Sequence, residues 1–78
     1  MKTLAQIIQE NEVLLHYEGE LDPETMETDG ESYMLAVNRH IVRIDEAKDN
    51  MYDICIDFIH ARTCNEEDLQ YYIDRYTK

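Results

Sequence analysis

The segment from Glu10 to Glu31 holds nine acidic residues and no Lys or Arg. It belongs to a chain of 78 residues whose formal net charge is -11. Because like charges repel one another, this excess of carboxylates opposes compact folding. It attracts basic partners and repels nucleic acid and anionic membranes. We therefore expect the basic surface of another protein as the partner, with no direct binding to nucleic acid or to a membrane.

The length of the chain limits the size of its core. A chain of 78 residues forms one domain, here 1–78, and buries roughly 60% of its unfolded surface, so its stability is marginal. Disulfides, metals or self-association commonly support cores of this size. Cys55 and Cys64 are too few for a disulfide framework, and the first residues do not resemble a signal peptide. We expect a cytoplasmic protein, in the host cytoplasm if phage-encoded. It either self-associates, as a homodimer, or is buried against a larger partner.

The scarcity of helix-breaking residues favours a helical fold. The chain has two Gly and one Pro, and no long run alternates apolar with polar residues, so the pattern predicts an all-α protein. Thr3 and Gln6 have the spacing of a capping box and predict a first helix over 4–18. Asp22 followed by Pro23 is typical of a helix start and predicts a second helix.

A long central helix is predicted by the apolar residues between Tyr33 and Ala61. They recur in alternating steps of four and three, the spacing of a heptad repeat. The predicted seam consists of Tyr33, Val37, Ile44, Met51, Ile54 and Phe58. Two interpretations remain open for it: the inner side of a core helix, or the dimer interface of a coiled coil. Asn65 precedes three acidic residues and predicts a final helix. Together these elements predict a dimeric helical bundle of three to four helices.

Acidic residues repeat at helical spacing within that central helix. Asp45, Asp49, Asp53 and Asp57 lie four residues apart, so on a helix they would rise about 6 Å per step. That step is close to the interval between phosphates along a nucleic-acid strand. This row and the acidic residues of the first segment form the predicted partner-binding surface: Glu10, Glu12, Glu18, Glu20, Asp45, Asp49, Asp53 and Asp57. The alternative is a solvated face, although -11 exceeds the net charge of about 2–8 that suits a small soluble domain.

Catalytic motifs are absent from the sequence. It has no Ser-centred nucleophile elbow, no Gly-rich phosphate loop and no C-x-x-C pair. On a helix, Asp53, Asp57, His60 and Cys64 would share one face and combine oxygen, nitrogen and sulfur atoms. They lack the paired Cys or His spacing of a zinc site. We therefore predict that the chain is not an enzyme and that it holds neither a cofactor nor a metal.

The run 17–58 resembles two groups of phage proteins. It contains Glu-Gly-Glu-Leu-Asp at 18–22 and Arg-Ile-Asp at 43–45, ahead of Tyr52 and Ile56. This order resembles a family of small siphophage coiled-coil proteins, in which a Gly-Glu-Leu turn joins a short helix to a heptad helix. In size and charge the chain also resembles small acidic phage proteins that inhibit host enzymes, several of them as DNA mimics. The resemblance implies a phage or mobile-element origin and assigns no functional residue.

Two functional hypotheses follow from these patterns. In the first, the chain is a non-enzymatic inhibitor that presents carboxylates to the basic nucleic-acid-binding surface of a host enzyme, such as a defence nuclease. In the second, it is a helical adaptor or structural homodimer that acts through its apolar seam, and the charge only keeps it soluble. Mutation of the acidic residues would impair the first function, whereas mutation of the seam would impair the second.

Overall fold

The chain folds into a five-stranded antiparallel sheet with two short helices on one face. The computed structural model describes residues 2–26 and 28–78. The expected all-α fold, with its helical bundle, long central helix and coiled coil, is therefore wrong. Within the described residues, no helix has the length and apolar character needed to cross a membrane.

The secondary structure begins and ends with a helix. The elements in chain order are α1 Leu4–Glu10, β1 Glu12–Tyr17, β2 Glu20–Leu21, β3 Thr28–Asp29, β4 Ser32–Val37, β5 His40–Glu46, β6 Met51–Ile56, β7 Ile59–Asn65, a 3₁₀ turn Glu66–Asp68, and α2 Leu69–Tyr76. The main sheet has the order β1-β4-β5-β6-β7, and β2 pairs with β3 in a separate two-stranded sheet. From β4 to β7 each strand therefore pairs with the strand that follows it.

Tight turns between these strands explain why the helical prediction failed. Asn38 and Arg39, and likewise Asp57 and Phe58, join neighbouring strands with positive φ at both positions, from 47° to 71°. Positive φ at both central residues is the pattern of a type I′ hairpin, for which Asn-Gly and Asp-Gly are the usual sequences. Here Arg and Phe occupy the second position, so the usual Gly signal is missing from the sequence.

Replacing Phe58 by Gly should raise the free energy of unfolding by about 1 kcal/mol, because glycine adopts positive φ without the steric cost that other residues pay. Phe58 has φ 71° and is 64% exposed, so its ring contributes little burial. Urea denaturation would measure the change. Ile59→Gly is the matched control: Ile59 lies within β7, where glycine should be destabilising by roughly 0.5–1 kcal/mol. Destabilisation by both substitutions would argue against the hairpin.

The core lies between the sheet and the two helices. Its buried residues are Ile7, Leu35, Val37, Val42, Ile44, Ile54, Cys64, Leu69 and Ile73. Side chains alternate between the faces of a strand, so one face of the sheet points into this core and the other faces outward. We call them the covered face and the open face.

The residues of the predicted seam lie on three strands and a turn instead of on one helix. Val37, Ile44 and Ile54 are buried in the core, and Tyr33 packs against it. Met51 alternates with the core residues of β6 and therefore lies on the open face. Phe58, as noted above, lies exposed in a turn. The seam residues on the covered face are already buried within one chain.

Both predicted helix caps at the ends of the chain are confirmed. Thr3 Oγ1 accepts a hydrogen bond from the Gln6 amide at 3.2 Å, and the Thr3 amide donates to Gln6 Oε1 at 2.8 Å, which completes a capping box. Asn65 Oδ1 accepts from the Asp68 amide at 3.1 Å and caps the 3₁₀ turn that leads into α2. These signals are local, so they hold whatever the rest of the fold is.

The predicted extents of the first two helices are wrong. The first helix ends at Glu10, where the chain turns into β1. The sequence Asp22-Pro23 forms a single turn, in which the Met26 amide donates to the Asp22 carbonyl at 2.7 Å and no helix follows. A capping residue followed by proline is thus sufficient to start a turn but not to extend that turn into a helix.

Candidate functional site: the acidic end of the sheet

The strand register gathers acidic residues at one end of the main sheet. Tyr17, Ser32, Asp45, Asp53 and Thr63 lie side by side across the five strands. At or beyond this row lie the residues that we call the acidic end: Glu18, Glu20, Glu31, Asp45, Glu46, Asp49, Glu66, Glu67 and Asp68. In the sequence segments that supply them, 18–31, 45–50 and 65–68, the one Lys or Arg is Lys48. The antiparallel sheet thus places three acidic segments next to one another.

The opposite end of the sheet carries charges of both signs: Asp57 lies in the turn after β6, and basic residues lie at the same end. Arg39 lies in the turn between β4 and β5, and the neighbouring Asn38 donates through Nδ2 to Thr77 Oγ1 at 3.3 Å. This contact brings the end of α2, with Arg75 and Lys78, to the same end of the sheet. The molecule is therefore electrically asymmetric along its strands.

Carboxylates of the acidic end raise the pKa of a phenol on the covered face, that of Tyr33. Tyr33 donates a hydrogen bond to the Glu31 carboxylate, and this bond, burial and the charges of Glu31 and Glu18 raise the Tyr33 pKa to about 12. The His16 ring stacks on Tyr33 with 4.2 Å between centroids, and His16 Nε2 lies 3.5 Å from Glu31 Oε1. Glu31 is therefore held in place by β1 and β4 together.

The pKa of a second phenol, that of Tyr52, is also raised by carboxylates of the acidic end. Burial raises the pKa of Tyr52, and the charges of Glu66, Glu46 and Glu31 raise it further. Glu66 is also fixed to α1, because its Oε2 accepts from the Leu4 amide at 3.0 Å. Carboxylates from three separate segments of the chain thus raise the pKa of one group, in agreement with the strand register that places these segments at the same end of the sheet.

The Tyr33 phenol should titrate with a pKa of about 12, and Glu31→Gln should move that pKa back toward 10. Because the folded-state pKa is raised, the contribution of Tyr33 to stability is complete below pH 10 and is lost as pH rises toward 12. The difference in tyrosinate absorbance between the parent and Tyr33→Phe isolates this phenol. An identical titration in Glu31→Gln would show that the carboxylate does not control it.

The predicted partner-binding residues of the first segment lie in two places. Glu18 and Glu20 belong to the acidic end and are exposed. Glu10 ends α1 and Glu12 begins β1, so both lie toward the other end of that strand. Glu10 also forms an ion pair with Lys2. The acidic segment therefore does not form one continuous surface.

The four-residue spacing of the aspartates produces no row. Asp45 and Asp53 face each other on β5 and β6, Asp49 lies in the loop between these strands, and Asp57 lies in the turn after β6. The two loops leave the sheet at opposite ends. The predicted match to the spacing of phosphates depended on a helix and is wrong.

Three of these aspartates are engaged within the chain. Asp45 accepts from Ser32 Oγ and from Arg43 Nε, the latter at 3.0 Å. Asp57 accepts from the Ile41 amide at 3.0 Å and lies 2.7 Å from His40 Nδ1. The hydrogen bond from the Ile41 amide is the largest cause that lowers the Asp57 pKa, and the hydrogen bond with His40 is the next.

The third, Asp53, belongs to a small polar cluster on the open face. It accepts from Thr63 Oγ1, and His60 Nε2 lies 3.4 Å from Asp53 Oδ1. Cys64 lies on the covered face instead, where burial raises the pKa of its thiol. Of the four residues considered as metal ligands, Asp53 and His60 are therefore neighbours, whereas Asp57 and Cys64 lie elsewhere. Across residues 2–26 and 28–78, no group of three or more His, Cys, Asp or Glu side chains is placed to hold a metal ion.

Glu31, Glu46 and Glu66 are among the residues of the acidic end that the sequence did not predict as partner-binding residues. They are far apart in the chain, and only the strand register brings them together. No family model, curated protein or solved structure matches the chain. The acidic end itself offers carboxylate oxygens, which accept hydrogen bonds and pair with Lys and Arg.

Proposed function

We propose that this chain is a non-enzymatic protein that binds the basic surface of a partner protein through its acidic end. The observation that carries the proposal is the strand register, which places the segments 18–31, 45–50 and 65–68 at one end of the sheet. Carboxylates held this close repel one another, and a cationic partner relieves that repulsion. The net charge of -11 extends the attraction beyond the contact itself.

The class of partner that best fits this surface is a protein that binds nucleic acid. Such proteins present clusters of Lys and Arg to neutralise phosphates, and a compact array of carboxylates competes for the same cations. The chain would then act as an inhibitor that mimics DNA, directed at a host enzyme such as a defence nuclease. The resemblance to small acidic phage inhibitors supports this choice. The mimicry would depend on the acidic end and not on a helical row of aspartates.

The alternative function, an adaptor or homodimer that acts through a heptad seam, is not retained. Its apolar positions on the covered face are filled by contacts within one chain, as Ile44 and Ile54 show.

The proposal is tested by capture followed by displacement. The tagged chain is incubated with host lysate, and the captured protein is identified, purified and titrated with duplex DNA. We expect that the duplex displaces this chain, and that capture falls as sodium chloride rises, because salt screens charges beyond about 8–10 Å. A ternary complex of the captured protein with DNA and this chain would contradict mimicry. Capture that is unaffected by salt would contradict the electrostatic mechanism.

A further inference from the structure

The first strand, β1, is an edge strand with an unusually apolar surface. All six of its residues are exposed. Val13, Leu14, Leu15 and Tyr17 have exposed fractions between 42% and 59%. In the part of the chain that the structure describes, β1 pairs with β4 alone. Its outer backbone groups are thus free to accept another strand.

The two edges of the main sheet differ in how they are protected. The other edge strand, β7, carries the polar residues His60, Arg62, Thr63 and Asn65. Proteins protect exposed edges with charged side chains, especially Lys, with Pro, and with bulges. By sequence β1 has no Lys, Arg or Pro, and its register shifts only between Val13 and Leu15. The half that follows the shift, 15–17, is a regular edge that leads to the acidic end, with Leu15 and Tyr17 on one face and His16 on the other.

Charge decides which kind of strand fits this edge. A second copy of the chain would bring another net charge of -11 and a 10–31 segment without Lys or Arg. Repulsion therefore opposes pairing of two β1 strands. A strand that alternates apolar residues with Lys or Arg instead satisfies both features: its apolar side chains cover Leu15, and its cations reach Glu18 and Glu20, which follow β1 and are exposed.

We propose that β1 binds an extended, Lys- or Arg-bearing segment of the partner by strand addition along 15–17. This inference rests on the proposed function, because it names how the basic partner docks beside the acidic end. Main-chain hydrogen bonds provide the affinity, and the alternating side chains provide the specificity. The chain would then recognise its partner partly by backbone geometry and not by charge alone.

A synthetic Lys-Val repeat peptide is the probe for this proposal. Its binding to the parent chain is measured by fluorescence anisotropy, and hydrogen exchange of the β1 amides is followed by NMR. We expect the peptide to slow exchange in β1 by about tenfold or more, as added hydrogen bonds protect amides. The same peptide with alternate backbone N-methyl groups should bind at least about tenfold more weakly, because it cannot complete the ladder.

Two matched variants separate the edge from the total charge. Leu15→Lys places a cation on β1, whereas Ile59→Lys places the same cation on β7, at a position that is 73% exposed. We expect Leu15→Lys to lower the affinity for the peptide by about tenfold, and Ile59→Lys to leave that affinity near the parental value. If circular dichroism shows that Leu15→Lys is unfolded, the hydrogen-exchange data on the parent chain alone decide whether the peptide binds along β1.

Each remaining outcome has a defined meaning. If the peptide binds in a salt-dependent way but does not protect β1, the edge proposal is overturned and the acidic end stands. If a Glu-Val repeat binds as well as the Lys-Val repeat, the preference for a basic partner is overturned instead. If β1 amides become protected when the chain is concentrated without peptide, the occupant is a second copy, and the proposal is also wrong.

Discussion

Replacing Ile54 by Ala should lower the free energy of unfolding by about 2–5 kcal/mol, the usual range for a large aliphatic residue in a core. Ile54 is 0% exposed and lies on β6, between Ile44 on one neighbouring strand and Arg62 on the other. A small domain has a total stability of about 5–15 kcal/mol, so the substitution removes a large share of it. The loss combines missing apolar burial with a cavity that the sheet cannot close.

The control for this prediction is Ile59→Ala. Ile59 is also on a strand and is chemically identical, but it is 73% exposed, so its removal should change stability by no more than about 0.5 kcal/mol. Both variants are measured by urea denaturation. Equal effects at the two positions would show that the covered face does not form the core described above.

Neutralising three carboxylates of the acidic end should weaken the binding of a cationic probe by about three- to hundredfold. The variant is Glu18→Gln, Glu46→Gln and Glu67→Gln, three exposed residues that leave the anchored Glu31 and Glu66 intact. Rim ion pairs contribute about 0.2–1 kcal/mol each, and 1.4 kcal/mol is tenfold in affinity. The probe is decalysine at low salt. The free energy of unfolding should rise slightly in the same variant, because repulsion between like charges is relieved.

An equal change of charge elsewhere is the control for this variant. Glu10→Gln, Glu12→Gln and Asp74→Asn lie on α1, β1 and α2, away from the acidic end. These substitutions should weaken the binding of decalysine much less, because the probe responds to the local field and not only to the net charge. If the two triple variants weaken binding equally, the acidic end is not a distinct site. If the first variant loses stability, the carboxylates have a structural role that the contacts do not reveal.

Part of the fold was predictable because helix-capping signals depend only on residues within one helical turn. The capping residues Thr3 and Asn65 start the helical elements at the two ends, since a cap needs only the next three residues. The strands were missed because the turns that create them contain Arg39 and Phe58 where glycine is usual. Without that signal, the rarity of Gly and Pro was interpreted as evidence for helices.

The apolar spacing was compatible with two folds at once. Tyr33 and Val37 are four residues apart, which places them on one side of a helix and also on one face of a strand. The step from Val37 to Ile44 spans a hairpin in the structure, although it equals one heptad in the sequence. Periodicity over 33–61 therefore selected three core residues, Val37, Ile44 and Ile54, but assigned them to the wrong element. It also selected Met51 and Phe58, which lie outside the core.

The acidic end shows a different limit of sequence reasoning. Glu18 and Glu20 were predicted as binding residues from local charge density, and they lie at this end. Glu31, Glu46 and Glu66 were not predicted as partner-binding residues, because their proximity depends on which residues pair across strands. In a hairpin that register is fixed by the type and length of the turn, and the turns that join β4 to β7 lack the glycine that usually reveals them in a sequence.

The long-range bond between Leu4 and Glu66 has a consequence for the order of folding. Strands β4 to β7 pair with their neighbours in the chain, so their hairpins close short loops and should form early. The helix α1 meets Glu66 across 62 residues, so closing that contact first would be entropically unfavourable. We therefore expect the meander to act as the folding nucleus and α1, with its Ile7 side chain, to complete the core in the last step.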